Sequence, residues 1–324
     1  MLQNVCAEGL TLAVRENSAN DFTVIPCKNT CFMNSSQTRR QFIGKTTLAT
    51  AGIGLGLSLS AKTYAQSKGA NDKVVFGVIG CGGISRYNVS KLMQVPGTEF
   101  AAVCDVDETH MENGAAQITK AGRPEPKRFK DFRQLLEQKD IDAVIINTPD
   151  HWHALPFIAA CEAGKDIYCE KPISHNLIEA RAMMNAAKYF RRVVQIGTWQ
   201  RSMEHFQKAI EFVRSGKMGD INLCRAWAVN GTDSKNSDVG RKTPGTPPSH
   251  FDYDFWLGPA AKRPYQENRT HYNWRWFFDY GGGLMTDWGV HMIDIVLLGM
   301  NQFDPEAVSA AGGIFTTNDD RDTP

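Results

Sequence analysis

The run Lys73-Val74-Val75-Phe76-Gly77-Val78-Ile79 is followed directly by Gly80-Cys81-Gly82-Gly83-Ile84-Ser85, and these two stretches decide the fold. The first is a short, β-rich apolar run of the kind that parallel sheets bury. In the second, Gly80 permits a tight turn and Gly82 lets the backbone approach a pyrophosphate, which the N–H groups of the following helix can bind. Strand, glycine turn and helix in this order predict a dinucleotide-binding fold.

Further apolar runs alternate with helical patterns after this turn. Strand-like runs end at Cys104, Asn147 and Cys169, and helices are expected over 109–121, 131–138 and 155–163 between and after them. This alternation predicts an α/β fold in which residues 72–193 form a Rossmann domain with a doubly wound parallel sheet. Residues 194–324 are expected to form a second domain for substrate binding and oligomerisation, with a helix over 203–215 and a strand over 223–229.

The carboxyl ends of the predicted strands supply the candidate cofactor site, because open parallel sheets bind ligands at that edge. Asp105 follows the second strand, and a carboxylate there can accept both ribose hydroxyls and repel a 2′-phosphate, which favours NAD over NADP. The alternative is that Asp105 only caps the next helix, and His153 could likewise be only a helix cap. The candidate cofactor residues are Gly80, Gly82, Gly83, Ile84, Asp105, Thr148, Pro149, His153, Glu170 and Lys171.

Three side chains are candidates for chemistry. Asp287 and His291 are four residues apart, so a helix would place them on one face. His291 is then the candidate base, Asp287 its orienter or a second substrate ligand, and Lys171 a donor to the substrate oxygen. Lys171 could instead be a surface partner of Glu170, and Asp287 and His291 could be a helix cap and a core histidine. With Asp294 they could also be half of a metal site, but no further His or Cys cluster completes one, so no metal is expected.

The substrate wall is expected to contain aromatic and polar side chains from the second domain. Aromatic rings stack on sugar faces, and arginine can hydrogen-bond hydroxyl groups. The polar stretch 230–249 is interpreted as a lid or pocket wall. The substrate is expected to be a sugar, polyol or glycoside, and the candidate substrate residues are Trp199, Gln200, Arg201, Trp274 and Arg275.

Four motifs in this order resemble the Gfo/Idh/MocA group of oxidoreductases, which includes glucose–fructose oxidoreductase and inositol dehydrogenase. They are Gly80-Cys81-Gly82-Gly83-Ile84, Asn147-Thr148-Pro149-Asp150-His151-Trp152-His153, Glu170-Lys171-Pro172 and Gly281-Gly282-Gly283-Leu284-Met285-Thr286-Asp287-Trp288-Gly289-Val290-His291.

The resemblance implies a nicotinamide cofactor, sugar or polyol substrates and catalytic roles for Lys171, Asp287 and His291. Some members instead hydrolyse glycosides by transient oxidation with a tightly held NAD, and a non-catalytic NAD-binding protein is a third reading. The group's second domain is an open antiparallel sheet, to which residues 312–315 would contribute a late strand. Because the chain stops at Pro324, we expect a C-terminal truncation that leaves this sheet incomplete, and a homo-oligomer if the sheet is complete.

The first 65 residues are interpreted as a region that contains an export signal and no part of the folded domains. Arg39 and Arg40 precede a weakly apolar stretch over 46–59 and a small-residue cleavage site at 63–65, which is typical of a twin-arginine signal. Met33 is a natural start for it, so residues 33–65 are expected to be the signal peptide and residues 1–32 a misassigned extension. The twin-arginine machinery would then export the folded protein to the periplasm.

Composition excludes other classes of protein. Hydrophobic residues make up 42% of the 324 residues, so a packed core is expected, and 36 basic against 35 acidic side chains leave no excess for a nucleic-acid partner. No apolar run reaches the roughly 20 residues that a membrane span requires. Of the eight cysteines, the five beyond residue 65 show no CxxC pair and are expected to be mostly buried small side chains.

Overall fold

The computed structural model describes residues 4–7, 10–17, 21–25, 73–229, 239–315 and 317–324, in two units, Met1–Lys73 and Val74–Pro324. In the first unit, three strands pair antiparallel in chain order: β1 (Asn4–Ala7), β2 (Leu10–Asn17) and β3 (Asp21–Ile25). They fall within the predicted extension 1–32, and the predicted signal at 33–65 lies outside the described residues. Across the described residues, no helix is long and apolar enough to cross a membrane.

The second unit contains a six-stranded, fully parallel sheet with the strand order β6-β5-β4-β7-β8-β9. Its central residues Val78, Val144 and Ile145 are almost completely buried, as expected for strands covered on both faces. The predicted α/β fold with a parallel sheet is confirmed. The strands are β4 (Val74–Ile79), β5 (Thr98–Cys104), β6 (Lys127–Phe129), β7 (Ala143–Ile146), β8 (Asp166–Cys169) and β9 (Val194–Ile196).

Helices connect these strands, and most begin at a polar cap. The carboxylate of Asp107 accepts hydrogen bonds from the N–H groups of Thr109 and His110, and Asn176 accepts one from Glu179. Such caps bind the N–H groups that a helix leaves unpaired at its start. The helices are α1 (Gly83–Leu92), α2 (Glu108–Lys120), α3 (Phe132–Leu136), α4 (Ala154–Glu162) and α5 (Leu177–Phe190).

The order of the sheet opens a crevice beside β4. Its neighbours are β5 on one side and β7 on the other, so the connections that leave β4 and β7 diverge at their carboxyl ends. This is the topological switch point at which open α/β sheets bind ligands.

The part of this unit that follows β9 packs around an aromatic cluster that includes Phe251, Trp256, Trp276 and Tyr280. Backbone contacts join this region to the Rossmann part: Glu108 N–H donates to the carbonyl of His250. The elements here are α6 (Glu204–Arg214), α7 (Tyr253–Leu257), α8 (Val290–Met300), 3₁₀ turns at Trp199–Ser202, Glu267–Arg269 and His271–Trp276, and a π-helical turn at Met285–Gly289.

Two strand predictions are wrong. Residues 223–229 and 312–315 form no strand, and within 198–229, 239–315 and 317–324 the structure contains no sheet, so the expected antiparallel sheet is not formed there. β-prone sequence alone does not make a strand, since strands need a neighbour to bind their backbone groups. Leu223, Trp227 and Val229 are mostly exposed, which fits an extended segment without such a neighbour. Four of the five cysteines beyond residue 65 are buried as expected, while Cys224 is exposed.

Candidate active site

A cavity of about 610 Å³ lies at the crevice beside β4. One part of its wall comes from the glycine turn and the ends of β5, β7 and β8, and the other from residues 251–291. Most of the predicted site residues line this cavity: Gly80, Gly82, Gly83, Ile84, Asp105, Thr148, Pro149, Glu170, Lys171, Trp199, Trp274, Arg275, Asp287 and His291.

The glycine turn has the geometry that a diphosphate needs. Gly80 has φ of +85°, and a Cβ there would lie 2.8 Å from the carbonyl carbon of Asn147, so only glycine fits. A Cβ at Gly82 or Gly83 would meet no atom of the described part of the chain within 4 Å, which leaves open space above the backbone. No side chain of the described residues caps α1, so its first N–H groups are open to an anion. The turn therefore fits a dinucleotide pyrophosphate.

Asp105 is held by the backbone of this turn and of the next. Its Oδ2 accepts a hydrogen bond from Cys81 N–H (2.7 Å), and its Oδ1 accepts one from Asp107 N–H (2.9 Å). Burial raises the pKa of Asp105, while these two hydrogen bonds oppose the rise. The helix α2 is capped by Asp107, so the alternative that Asp105 is merely the cap of α2 is wrong. The carboxylate remains at the cavity wall, where a ribose would lie.

A buried polar network fixes the ends of β7 and β8. The amide of Asn88 donates to Asn147 Oδ1 (2.9 Å) and to Glu170 Oε1 (2.8 Å). Within the described residues, the Nδ2 of Asn147 and the Oγ1 of Thr148 are buried and have no hydrogen-bond partner. Buried polar atoms are rarely left unpaired in proteins, so these two groups at the cavity wall are suited to contact a ligand.

Lys171 and Asp287, which are 116 residues apart in the chain, form a salt bridge. The Nζ of Lys171 donates to Oδ1 of Asp287 (2.6 Å) and to the Asp287 backbone carbonyl (2.8 Å), and the Nε of Arg275 lies 3.2 Å from the same Oδ1. Burial alone would raise the pKa of Asp287, but the charges of Arg275 and Lys171 outweigh it and lower the pKa. Asp287 is therefore ionised between two cations.

The interpretation of Asp287 as the orienter of His291 is wrong. Its carboxylate pairs with Lys171 and Arg275, because two full positive charges attract it more strongly than a neutral imidazole does. The Nδ1 of His291 is buried and has no hydrogen-bond partner among the described residues. The remaining interpretation of Asp287, a second substrate ligand, stays a prediction. Asp287 lies in the π-helical turn, a feature that is frequent at functional sites.

His291 is positioned by two tryptophans. The rings of Trp199 and Trp288 meet its imidazole edge-on, with centroid distances of 5.7 and 6.2 Å. Burial, followed by the charge of Lys171, lowers the pKa of His291, and the negative charges of Asp287 and Asp294 oppose this. The imidazole is therefore neutral at pH 7 and is able to accept a proton.

His153 does not line the cavity, so its interpretation as a cofactor ligand is not supported. It is fully buried, and its ring nitrogens lie 2.7 Å from the carbonyl oxygen of Pro172 and 2.9 Å from that of Thr148. Burial lowers the pKa of His153 to about 4. Because a neutral imidazole has one N–H, it can donate to only one of these two carbonyls, and it lies between the segments that follow β7 and β8. The side chain also makes no capping hydrogen bond at the start of α4.

The five predicted substrate residues divide into two groups. Trp199, Trp274 and Arg275 line the cavity, whereas Gln200 and Arg201 do not. Arg201 is paired with Asp294, with its Nε 2.7 Å from Oδ2. Among the described residues, Asp294 does not come close enough to Asp287 and His291 to form a metal-type cluster with them.

The predicted lid or pocket wall over 230–249 lies only partly within the described residues. Residues 230–238 lie outside the described residues, and 239–249 do not line the cavity.

Asp150 was not among the predicted site residues, although it lines the cavity, is buried, and has an Oδ1 without a partner in the described part. Burial raises its pKa well above the usual value, and the charges of Lys171 and Arg275 oppose this. Its position after a predicted strand was a signal for it. The other wall residues that were missed include Trp288, Phe251, Trp256, His271 and Tyr272.

Two protein-family models match consecutive parts of the chain. Residues 74–198 match the model described as "Oxidoreductase family, NAD-binding Rossmann fold", and residues 198–314 match the one described as "Oxidoreductase family, C-terminal alpha/beta domain", both of the GFO_IDH_MocA family. Together they span 74–314, well over half of the chain. The Rossmann prediction and the NAD-binding class of this domain are thereby confirmed.

Individual relatives match only in part. The chain is 31% identical over 224 residues to a glycosyl hydrolase family 109 protein of Shewanella putrefaciens (63% of this chain, 49% of the relative), and 31% identical over 166 residues to an inositol 2-dehydrogenase of Rubrobacter xylanophilus (50% and 46%). It spans about half the length of the curated relatives that it matches. Among solved structures, the WlbA dehydrogenase of Bordetella pertussis shares the fold, with a TM-score of 0.52 and 19% identity over 70% of this chain and 59% of that one.

Proposed function

Because the chain belongs to the Gfo/Idh/MocA oxidoreductase family, we propose that it is an NAD-dependent enzyme that transfers hydride between nicotinamide and a hydroxyl-bearing carbon of a sugar, polyol or glycoside. The observation that carries this proposal is the arrangement of one cavity wall. The glycine turn, the Lys171–Asp287 pair and the neutral imidazole of His291 all border the same space.

The position of each residue at the cavity wall indicates which part of the cofactor it would bind. The glycine turn and the start of α1 would bind the diphosphate, and Asp105 would accept the ribose hydroxyls and repel a 2′-phosphate, which favours NAD over NADP. Bound nicotinamide supplies the position that accepts or returns the hydride. Thr148 and Asn147 offer unpaired polar atoms to the cofactor or substrate.

His291 is the residue that would accept the proton. Oxidation of an alcohol removes a hydroxyl proton, and a neutral imidazole can accept it. Lys171 has three N–H donors, two of which bind Asp287, so one remains to bind the substrate oxygen and stabilise the negative charge that develops there. Trp199 and Trp274 offer apolar faces on which a sugar ring can stack.

The test is direct. The purified chain is analysed by mass spectrometry for retained nicotinamide dinucleotide, and NADH formation is then followed with a panel of hexoses, inositols and glycosides. We expect NAD to be reduced with at least one member of the panel, and NADP to be reduced more slowly. A chain that binds NAD and turns over no member of the panel would be the non-catalytic protein that the sequence also allowed.

The similarity to glycosyl hydrolase family 109 proteins favours a second candidate, hydrolysis of a glycoside through transient oxidation by a retained NAD. The same cavity residues would serve, because the first step is again the removal of hydride and a proton. Stoichiometry separates the two candidates. The hydrolase releases the aglycone from a nitrophenyl glycoside without net NADH, whereas the dehydrogenase accumulates NADH in proportion to product.

We also propose export through the twin-arginine machinery to the periplasm, from the residues around Arg39 and Arg40. In a bacterial host the wild-type protein should be recovered from the periplasm, and the Arg39→Lys/Arg40→Lys variant from the cytoplasm. Equal distribution of the two would contradict export. Self-association through the second region is a further expectation, which light scattering would test.

A further inference from the structure

A second cluster of ligand-type side chains lies at the end of the cavity that Asp105 borders. Asp107, His110 and His271 each offer one ligand atom, and these atoms all lie within 4.8 Å of one another. Asp107 caps α2, His110 lies in its first turn, and His271 begins a 3₁₀ turn more than 160 residues further along the chain. None of the roles assigned above to the active site uses these three side chains.

The distance between Asp107 and His271 matches a coordination shell better than a hydrogen bond. The Nε2 of His271 lies 3.3 Å from the Oδ2 of Asp107. Neutral N–H···O hydrogen bonds are typically about 2.9–3.0 Å long. Two ligands at about 2.0 Å from one tetrahedral ion are about 3.3 Å apart. The Nε2 of His250 lies 3.8 Å from the same Oδ2 and could complete the shell after a small movement.

The structure holds these groups in place by contacts outside the cluster. The Oδ1 of Asp107 accepts hydrogen bonds from Thr109 and His110 N–H, so only Oδ2 faces the histidines. His271 has a φ of +49°, a conformation that is costly for a residue with a Cβ and that often marks functional sites. The hydrogen bond from Glu108 N–H to the carbonyl of His250 brings the third imidazole alongside.

We infer that Asp107, His110 and His271 bind a divalent cation of the zinc class, with His250 or water as the fourth ligand. Imidazole nitrogen and a monodentate carboxylate are typical zinc ligands, whereas calcium and magnesium prefer oxygen alone. The ion would join the start of α2 to the segments at 250 and 271, and so would hold the wall beside the adenosine half of the cavity. Its binding does not depend on the proposed reaction.

The competing interpretation is that the two imidazoles only contact each other and the nearby carboxylates. The rings of His110 and His271 are 4.7 Å apart, and the Nδ1 of His110 lies 4.0 Å from the Oδ2 of Asp105. The rings are tilted by 57°, and 4.0 Å is longer than a hydrogen bond, so neither contact explains why the three ligand atoms lie close together.

The test is a titration of the full chain after treatment with EDTA. Zinc binding is measured by calorimetry, and cobalt binding by the visible spectrum, in which tetrahedral Co²⁺ has intense bands. Wild type should bind one equivalent of each. His271→Asn, in which asparagine tolerates the positive φ, and His110→Gln should each bind zinc at least tenfold more weakly. His205→Gln, which changes an exposed histidine on α6, is the matched control and should bind as wild type does.

Several results would overturn the inference. They are the absence of stoichiometric zinc binding by wild type, equal affinity in all four proteins, or an octahedral cobalt spectrum that the His110 and His271 variants leave unchanged. The wild-type titration does not depend on whether a variant folds. If zinc binds but no sugar is turned over, the metal site is supported and the proposed function is contradicted. If a sugar is turned over but zinc does not bind, the proposed function is supported and the metal site is contradicted.

Discussion

At the scale of single residues, the charge balance around Asp287 decides what the site can do. Asp287, Lys171 and Arg275 are each at least four-fifths buried, so their mutual attraction is screened less than on a surface. The carboxylate holds the ammonium group of Lys171 at the cavity wall, and the charge of Lys171 in turn helps to keep His291 neutral. Removing one of these charges therefore changes the other two groups.

Replacing Lys171 by methionine should lower kcat by about 10²-fold or more, because the substrate oxygen loses its charged donor. NAD affinity should change much less, since the glycine turn and Asp105 are untouched. Turnover and NAD binding are measured separately, by NADH formation and calorimetry. Lys208→Met removes an exposed lysine on α6 and should leave both unchanged. Full turnover by Lys171→Met would remove Lys171 from the proposed reaction.

The pH dependence of kcat/KM should report His291. Its pKa lies below the usual 6.5, and only the neutral imidazole accepts a proton, so oxidation should remain active at pH 7 and decline only as the pH falls through this lowered value. A His291→Gln variant should be slower and should lack this acidic limb. A limb with an apparent pKa of 6.5 or above in wild type would contradict the assignment.

At the scale of elements, the turn between β4 and α1 contains two glycines with different physical roles. Gly80 is required by its own backbone conformation and by contact with Asn147, whereas Gly82 has open space in front of it. Glycine is therefore needed at position 80 for folding, and at position 82 to leave space for the ligand. Sequence alone shows both as glycines of one motif.

Gly80→Ala should lower the melting temperature and abolish NAD binding, because the new Cβ would lie 2.8–2.9 Å from the backbone of Asn147 and Thr148 at a positive φ. Gly82→Ala should melt like wild type, yet bind NAD at least tenfold more weakly, since its Cβ would occupy the space for the diphosphate. Thermal melting and NAD titration of the two variants provide the comparison. Equal melting temperatures for both variants would show that Gly80 is not sterically constrained.

At the scale of the whole second unit, the buried His151 connects the Rossmann part to the aromatic cluster that follows it. His151 is 3% exposed, its Nε2 lies 3.0 Å from the carbonyl of Trp256, and its backbone N–H donates to Tyr280. Burial lowers the pKa of His151 to about 3. The packing of the two parts therefore depends on a neutral imidazole.

This burial should make the protein sensitive to acid. Between pH 6.5 and 3 the unfolded chain binds a proton at His151 and the folded chain does not, so stability is present above 6.5 and declines as the pH falls. From pH 7 to 5 this one group should lower the free energy of unfolding by about 2 kcal/mol. Urea unfolding at both values measures it. His151→Gln should lose that part of the pH dependence, whereas the control His205→Gln should keep it; identical pH dependence in all three would contradict the prediction.

Much of the fold and part of the site could be predicted from local sequence. The runs that became β4, β5, β7 and β8 are apolar and end in Gly, Asp, Asn or Glu, and parallel strands bring such ends to one edge. That rule placed Gly80, Asp105, Thr148 and Lys171 at one cavity. Local spacing could not predict that residues 223–229 lack a strand neighbour, because pairing depends on what else is present nearby.

What the sequence by itself determined was the Rossmann sheet, the glycine turn and the residues at the strand ends, because these follow from interactions within a few residues and from the regular geometry of parallel strands. Only the tertiary structure decided the partners of the charged groups. It paired Asp287 with Lys171 rather than His291, and Arg201 with Asp294. The strength of an ion pair depends on the distance between the two charges and on their burial. Neither quantity can be obtained from the spacing of the residues along the chain.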